Sequence, residues 1–184
     1  MRIIAGSRKG MKLQAPPGES VRPTSDKLRG AVMSMLGGFL DGERVLDVCA
    51  GTGAMALEWL SRGAGLAVAL ENDPVALQLL RANAKHVRLE EHLTVVPGDA
   101  LKQLVRLAAE GQRFDLVYVD PPYDAELHAP ILAALPAVLA PGAQVFVETR
   151  NGLPEELRVG WTQVTQRRYG GGWLDRLELP EAAP

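Results

Sequence analysis

Val45-Leu46-Asp47-Val48-Cys49-Ala50-Gly51-Thr52-Gly53 is an aliphatic run that breaks into a glycine-rich turn and leads into a stretch with the apolar spacing of a helix. A buried strand, a tight turn and a helix start form a small-ligand site, because Gly51 and Gly53 let the backbone turn sharply and leave no Cβ in a ligand's way. Outward from this unit the alternation repeats. Strands are expected at Val45 to Val48, Leu66 to Glu71, Leu93 to Val96, Asp115 to Asp120 and Gln144 to Glu148, with helices near 54 to 62, 74 to 88, 100 to 110 and 127 to 139. Strand and helix alternating at this period predict a doubly wound α/β fold, its mostly parallel sheet covered on both faces by helices. Thr162 to Arg167 and Leu174 to Leu179, joined through Tyr169 and three glycines, read as an antiparallel hairpin at the sheet edge. At the other end, Arg2 to Ile4 and Met11 to Leu13 read as a small hairpin, followed by a Pro-Gly linker and a helix that Gly37-Gly38 ends.

With 184 residues and 47% hydrophobic content, the chain is expected to form one domain that needs neither a disulfide nor a structural metal. The single Cys49 allows no disulfide framework and points to a reducing, cytoplasmic setting. No targeting segment is apparent at the N-terminus, which reaches Arg8 and Lys9 too soon for a signal peptide. Leu127 to Val147 carries no Asp, Glu, Lys or Arg, yet Pro130, Pro136 and Pro141 divide it into helix, turn and strand, so no membrane span is expected. The net charge of −2 conceals an asymmetry. Residues 1 to 29 hold seven basic and two acidic side chains, whereas residues 30 to 149 hold eight and fifteen. A basic arm on an acidic body reads as a footprint for a phosphate backbone, with Arg2, Arg8, Lys9, Lys12 and Arg22 as candidate contacts. His86, His92 and His128 have no metal-ligand spacing, so no metal is expected.

Ligands of such sheets bind beyond the carboxyl ends of the strands, where the strand order reverses. Asp47, Glu71, Asp99, Asp120 and Glu148 each fall at or just after a strand end and should share one rim, although for Glu148 a loop-starting role is preferred. Glu71 lies 20 residues after Gly51, where a carboxylate can bind both hydroxyls of a ribose. The pattern Gly51-x-Gly53-x-x-Ala56 also fits a dinucleotide site, so the glycines leave a nicotinamide dehydrogenase open. Asp47, expected to face the pocket directly, would repel a pyrophosphate and suit the ammonium of an amino-acid moiety, as in S-adenosylmethionine. Asp120-Pro121-Pro122-Tyr123 supplies fixed acceptors, the Asp120 carboxylate and the Pro121 carbonyl, beside an aromatic face, a setting for a planar ring bearing an exocyclic amine.

At these residues the chain resembles the class I S-adenosylmethionine-dependent amino-methyltransferases, in the order DxxAGTG, Glu71-Asn72-Asp73, Gly98-Asp99-Ala100 and DPPY. Met1 to Gly6 with Lys9-Gly10, then Arg22-Pro23-Thr24-Ser25-Asp26 and Arg29, then Leu57-Glu58 and Leu60 to Ala64, are similar to the bacterial small-subunit ribosomal RNA guanine-N2 methyltransferases of the RsmD type. The resemblance spans roughly residues 1 to 150. It implies a single Rossmann-like methyltransferase domain over residues 1–184, made of a basic arm at 1–20 and a catalytic core at 21–184.

By that resemblance, Asp47 and the backbone of Cys49, Ala50, Gly51 and Gly53 hold the methionine moiety. Glu71 holds the ribose with Asn72 beside it, Asp99 meets the adenine amine and Ala100 supports the ring. Asp120, Pro121, Pro122 and Tyr123 act on the acceptor, Tyr123 stacking on the base. The implied cofactor is S-adenosyl-L-methionine, with S-adenosyl-L-homocysteine as product. The implied partner of a monomeric chain is small-subunit ribosomal RNA, free or within a partly or fully assembled subunit. Cys49 and Thr52 depart from the family's usual Phe and Ser, and Gly30 from its usual Glu, at about 1 kcal/mol of helix propensity. Other DPPY-type amino-methyltransferases, acting on adenine N6, cytosine N4 or a protein glutamine, stay open. So do an NAD-dependent oxidoreductase and a ribosome-binding protein without activity.

Overall fold

The computed structural model describes residues 1–15, 26–122 and 126–180. Helix α1 (Asp26–Met35) precedes strand β1 (Arg44–Val48), and then come α2 (Ala54–Ser61), β2 (Leu66–Glu71), α3 (Pro74–His86), β3 (Leu93–Pro97), α4 (Ala100–Ala109) and β4 (Phe114–Val119). Helix α5 (His128–Ala134), β5 (Leu139–Thr149), β6 (Thr162–Tyr169) and β7 (Gly172–Glu178) complete the order. The seven strands form one sheet in the order β3-β2-β1-β4-β5-β7-β6. β1 to β5 run parallel, and β7 inserts antiparallel between β5 and the edge strand β6. The expected doubly wound α/β fold and its edge hairpin are both present.

Each face of the sheet carries its own apolar layer. On one side Leu28, Val32, Trp59, Leu80, Tyr118 and Phe146 pack together; on the other, Leu46, Leu70, Leu104, Val117, Ile131 and Val145 do so. The near-continuous burial of β1, β2 and β4 is what a parallel sheet covered on both faces requires. Helix α3 starts where the sequence marks it: the Asp73 carboxylate accepts from Ala76 N at 2.7 Å and Pro74 stands in the first turn, where its missing N–H costs nothing. α1 forms with Gly30 inside it, and the space beside that glycine is open.

Two boundaries differ from expectation by more than two residues. The helix read to residue 139 ends at Ala134 and continues as a 3-10 turn, Leu135–Val138. Pro136 donates no backbone hydrogen bond, and its ring would meet the carbonyl four residues back in an α-helix. β5 starts at Leu139 rather than Gln144, because Phe114 pairs with Leu139 and Leu116 with Gln144, and Pro141-Gly142 bulges between them instead of ending the strand.

The arm forms one antiparallel bridge, Arg2 to Lys12, and buries Ile3 and Leu13 in the layer beside α2. Gly6 has φ +86°, and a Cβ there would lie 1.8 Å from the Ser61 carbonyl oxygen, so the arm reaches the end of α2 only as glycine.

Candidate cofactor and acceptor site

The strand order reverses between β1 and β4, so the loops after Val48 and Val119 leave the sheet side by side and the Asp120 N–H donates to the Val48 carbonyl at 3.3 Å. The loop after β1 is bent by three left-handed residues, Cys49 (φ 63°), Gly51 (55°) and Gly53 (80°). For Cys49 that conformation is strained and held by its surroundings. Ala50 N donates to the Leu70 carbonyl and Gly53 N to the Ala50 carbonyl, each at 2.9 Å, which ties the loop to β2.

Glu71 joins two loops. Its Oε2 accepts from Gly51 N at 2.6 Å, while Oε1 accepts from the N–H groups of Asn72 and Asp73, both at 2.8 Å. The residue is buried, and a carboxylate with about four lone-pair directions has acceptor capacity left beyond three bonds. Asp99, exposed at the end of β3, caps α4 through Lys102 N at 2.9 Å. Ala100 packs on the second apolar layer, and Asn72 is exposed. Asp120 is half-buried, Pro121 buried and Pro122 exposed. Tyr123, the expected stacking residue, lies outside the described residues, as does Arg22.

Asp47 corrects one expectation. Its carboxylate does not open directly onto the pocket: it is 2% exposed and turns under the start of α2, where Oδ2 accepts from Ala56 N at 3.0 Å. Helix N-termini carry donors without partners, and a carboxylate on the adjacent strand satisfies one. Burial pushes this carboxyl up to about 7, the Ala56 bond opposing and Glu71 adding. Between pH ~4 and pH ~7 the folded state keeps a proton that the unfolded chain has lost, so stability falls as pH rises through that window and the deficit stays constant above it. Asp47→Asn keeps an acceptor for Ala56 and removes the charge. It is expected to unfold with less loss between pH 5 and pH 8 and to gain about 2–4 kcal/mol at pH 8. Urea unfolding at both values checks this, and a variant that loses as much as the parent would contradict it.

The rim is acidic as expected. Burial pushes the Cys49 thiol up to about 12, and Glu71, Asp47, Asp120 and Asp99, in that order, add to the effect, so all four carboxylates act on one point. Glu148 behaves differently. It is buried and accepts from the Tyr118 hydroxyl at 2.7 Å, and burial, Asp120 and Glu148 together keep Tyr118 protonated well above its usual range. Among the described residues, no group of three or more His, Cys, Asp and Glu could hold a metal ion, and no helix is long and apolar enough to cross a membrane.

The basic arm is only partly a free surface. Arg8 donates from Nε to the Val87 carbonyl at 2.7 Å and from a terminal nitrogen to that of Arg88 at 3.3 Å, satisfying carbonyls that α3 leaves at its C-terminal end. Arg8 is therefore half-buried and has a structural role beside its reading as a phosphate contact. Arg2, Lys9 and Lys12 are exposed. The loop around Lys9 borders an open groove of about 540 Å³ with Phe39 and Gly63, at the end of α2 opposite the glycine loop.

Sequence reasoning assigned no role to the residues that dock the arm. Glu58, fully buried on α2, accepts from Ile4 N at 2.8 Å, from Ala5 N at 3.1 Å and from Arg62 Nε at 2.6 Å. Ser61 donates to the Ala5 carbonyl at 2.7 Å and accepts from Arg8 N at 3.0 Å. Asn83, also fully buried, exchanges two hydrogen bonds with the Gln14 backbone (2.7 and 3.0 Å) and donates to the Thr52 carbonyl at 3.1 Å, linking the arm to the glycine loop. For Glu58 and Asn83 the sequence signal was a charged or amide residue inside an apolar helical face, and for Glu58 and Ser61 it was a family resemblance that named no partner.

The residues fit S-adenosylmethionine better than a dinucleotide. Glu71, Asp99 and Asp120 stand at neighbouring strand ends, and Asp47 already occupies the N-terminal turn of α2, the position a pyrophosphate would need. A cofactor carrying an ammonium and a sulfonium suits that field.

The fold and this rim define the class I methyltransferase type of α/β protein. Residues 1–176 match the family described as Conserved hypothetical protein 95, and the chain belongs to it. It is 34% identical to Ribosomal RNA small subunit methyltransferase D of Escherichia coli K12 over 158 residues, 84% of this chain and 78% of that one. With the protein of the same description from Haemophilus influenzae it shares 28% over 172 residues, covering 92% and 89%. A hypothetical protein of Thermus thermophilus superposes with TM-score 0.82 at 30% identity, covering 97% of this chain and 99% of that chain.

Proposed function

We propose that this protein transfers a methyl group from S-adenosylmethionine to the exocyclic N2 amine of a guanine in small-subunit ribosomal RNA. The observation that carries the reading is the junction of β1 and β4, where Asp120 hydrogen-bonds to Val48 and so stands beside the loop that would hold the cofactor. The cofactor, when bound, supplies an already activated methyl group. Gly51 and Gly53 keep the loop open to its methionine end, Glu71 offers acceptor capacity to the ribose, and Asp99 and Ala100 stand where the adenine would lie. Asp47 acts through the loop and the first turn of α2. Asp120 and the Pro121 carbonyl accept from the target amine and hold its lone pair toward the donor, an alignment that contributes roughly 7–11 kcal/mol in favourable cases. A guanine reaches these groups only by leaving its stack.

The nucleobase and the atom follow from the resemblance of residues 1–6, 22–29 and 57–64 to the RsmD-type guanine-N2 methyltransferases, and the RNA class from the relatives' description as small-subunit ribosomal RNA methyltransferases. On this reading the protein works in the cytoplasm on free RNA or on a subunit during or after assembly. Mapping methylated nucleosides in ribosomal RNA from cells lacking the gene tests the substrate: loss of one N2-methylguanosine is expected, and an unchanged map would refute it. Calorimetry tests the cofactor. S-adenosylmethionine or S-adenosylhomocysteine should bind saturably and NAD should not; saturable NAD binding without a response to S-adenosylhomocysteine would overturn the assignment.

A further inference from the structure

The acidic rim that suits the cofactor cannot itself hold the phosphates of an RNA strand, so the cations that do so must flank it. Arg8 is occupied by carbonyls at the end of α3, and Lys9 stands at the far end of α2. The hairpin of β6 and β7 provides others. Val119 of β4 pairs with Val147, Val147 with Asp175 and Asp175 with Gln166, so Arg167 and Arg168 lie one and two rows beyond, at the level of Asp120 and the carboxyl ends of the parallel strands. Three strand spacings separate β4 from β6, about 14 Å.

Both arginines are exposed, and neither has an ion-pair partner among the described residues. Of the two acidic residues on β7, Glu178 pairs with Thr162 at the far end of β6 and binds Arg176, and Asp175 is fully buried and already accepts from Leu153 N (3.1 Å), Gln163 (2.6 Å) and Gln166 (2.8 Å). Because side chains alternate along a strand, Arg167 and Arg168 project to opposite faces of the sheet at its open edge. A strand of RNA passing that edge would meet one cation on each side.

The geometry points to Arg167 and Arg168 at the β6 edge as the contact for phosphates flanking the target nucleotide, a surface the basic N-terminal arm does not include. This inference rests on the RNA reading above. The test measures binding of small-subunit ribosomal RNA across a salt series, methyl transfer and S-adenosylmethionine affinity for the parent, R167E/R168E and R167K/R168K. The charge reversal should weaken RNA binding about tenfold or more at moderate salt and flatten the log-affinity against log-salt slope by about 1.4–1.8, as expected for two lost phosphate contacts. Cofactor affinity and thermal unfolding should stay at parental values, and the lysine pair should retain most RNA affinity. If R167E/R168E binds RNA with parental affinity and salt slope, the surface is refuted and the arginines serve only to keep the sheet edge from pairing. If the parent itself neither binds nor methylates the RNA, the functional reading falls instead.

Discussion

Asp120→Ala is expected to slow methyl transfer to RNA by about 100- to 1,000-fold, a barrier increase of about 3–4 kcal/mol, while S-adenosylmethionine affinity stays within several-fold. The separation follows from topology. The glycine loop leaves β1 and is braced by Glu71, with Asp47 holding the first turn of α2 behind it, whereas Asp120 leaves β4 and braces that loop through its backbone N–H, which alanine keeps. On the proposed function, what alanine removes is a charged acceptor for the reacting amine. Tyr123→Ala should lose less, and Tyr123→Phe, which keeps an aromatic face, should retain most activity. Single-turnover transfer of labelled methyl, run beside a cofactor titration, reads both quantities. Parental turnover in Asp120→Ala, or lost cofactor affinity with unchanged turnover at saturation, would mean that the acceptor site is elsewhere.

Glu58→Ala should destabilise the protein by about 3–5 kcal/mol, the range for removing one partner of a buried ion pair. In a chain of this length that lowers the melting temperature by about 6–20 °C. The change leaves Arg62, 8% exposed, without its carboxylate and frees the N–H groups of Ile4 and Ala5. Glu58→Gln, which keeps one acceptor oxygen but no charge, should fall between alanine and the parent. Because the lost bonds hold the arm, limited proteolysis should cut within residues 4–9 earlier in the alanine variant. A loss below about 1 kcal/mol, with the arm equally protected, would show that Glu58 is not its anchor.

The parallel core was legible because each strand is a short aliphatic run and each helix has apolar spacing, two local periodicities that survive whatever the chain packs against. The order in which carboxylates meet the strand ends was legible for the same reason. Less so were the element ends around Pro136 and Pro141-Gly142, since a proline marks a disturbance without saying whether it ends a helix, tightens it into a 3-10 turn or makes a bulge. Glu58 and Ser61 lay in a stretch whose family resemblance was plain and whose role was not, because their partners are 53 to 56 residues away in the chain.

The sequence alone thus determined the alternation of strand and helix, the glycine turn after Asp47 and the acidic residues at the strand ends, all set by neighbours within a few positions. Only the tertiary structure decided where the charges go. Asp47 turns under α2 rather than toward a ligand, Glu148 meets a tyrosine, Glu58 anchors the arm and Arg8 caps a helix. A buried polar group must find a partner, and folding brings those partners from distant parts of the chain.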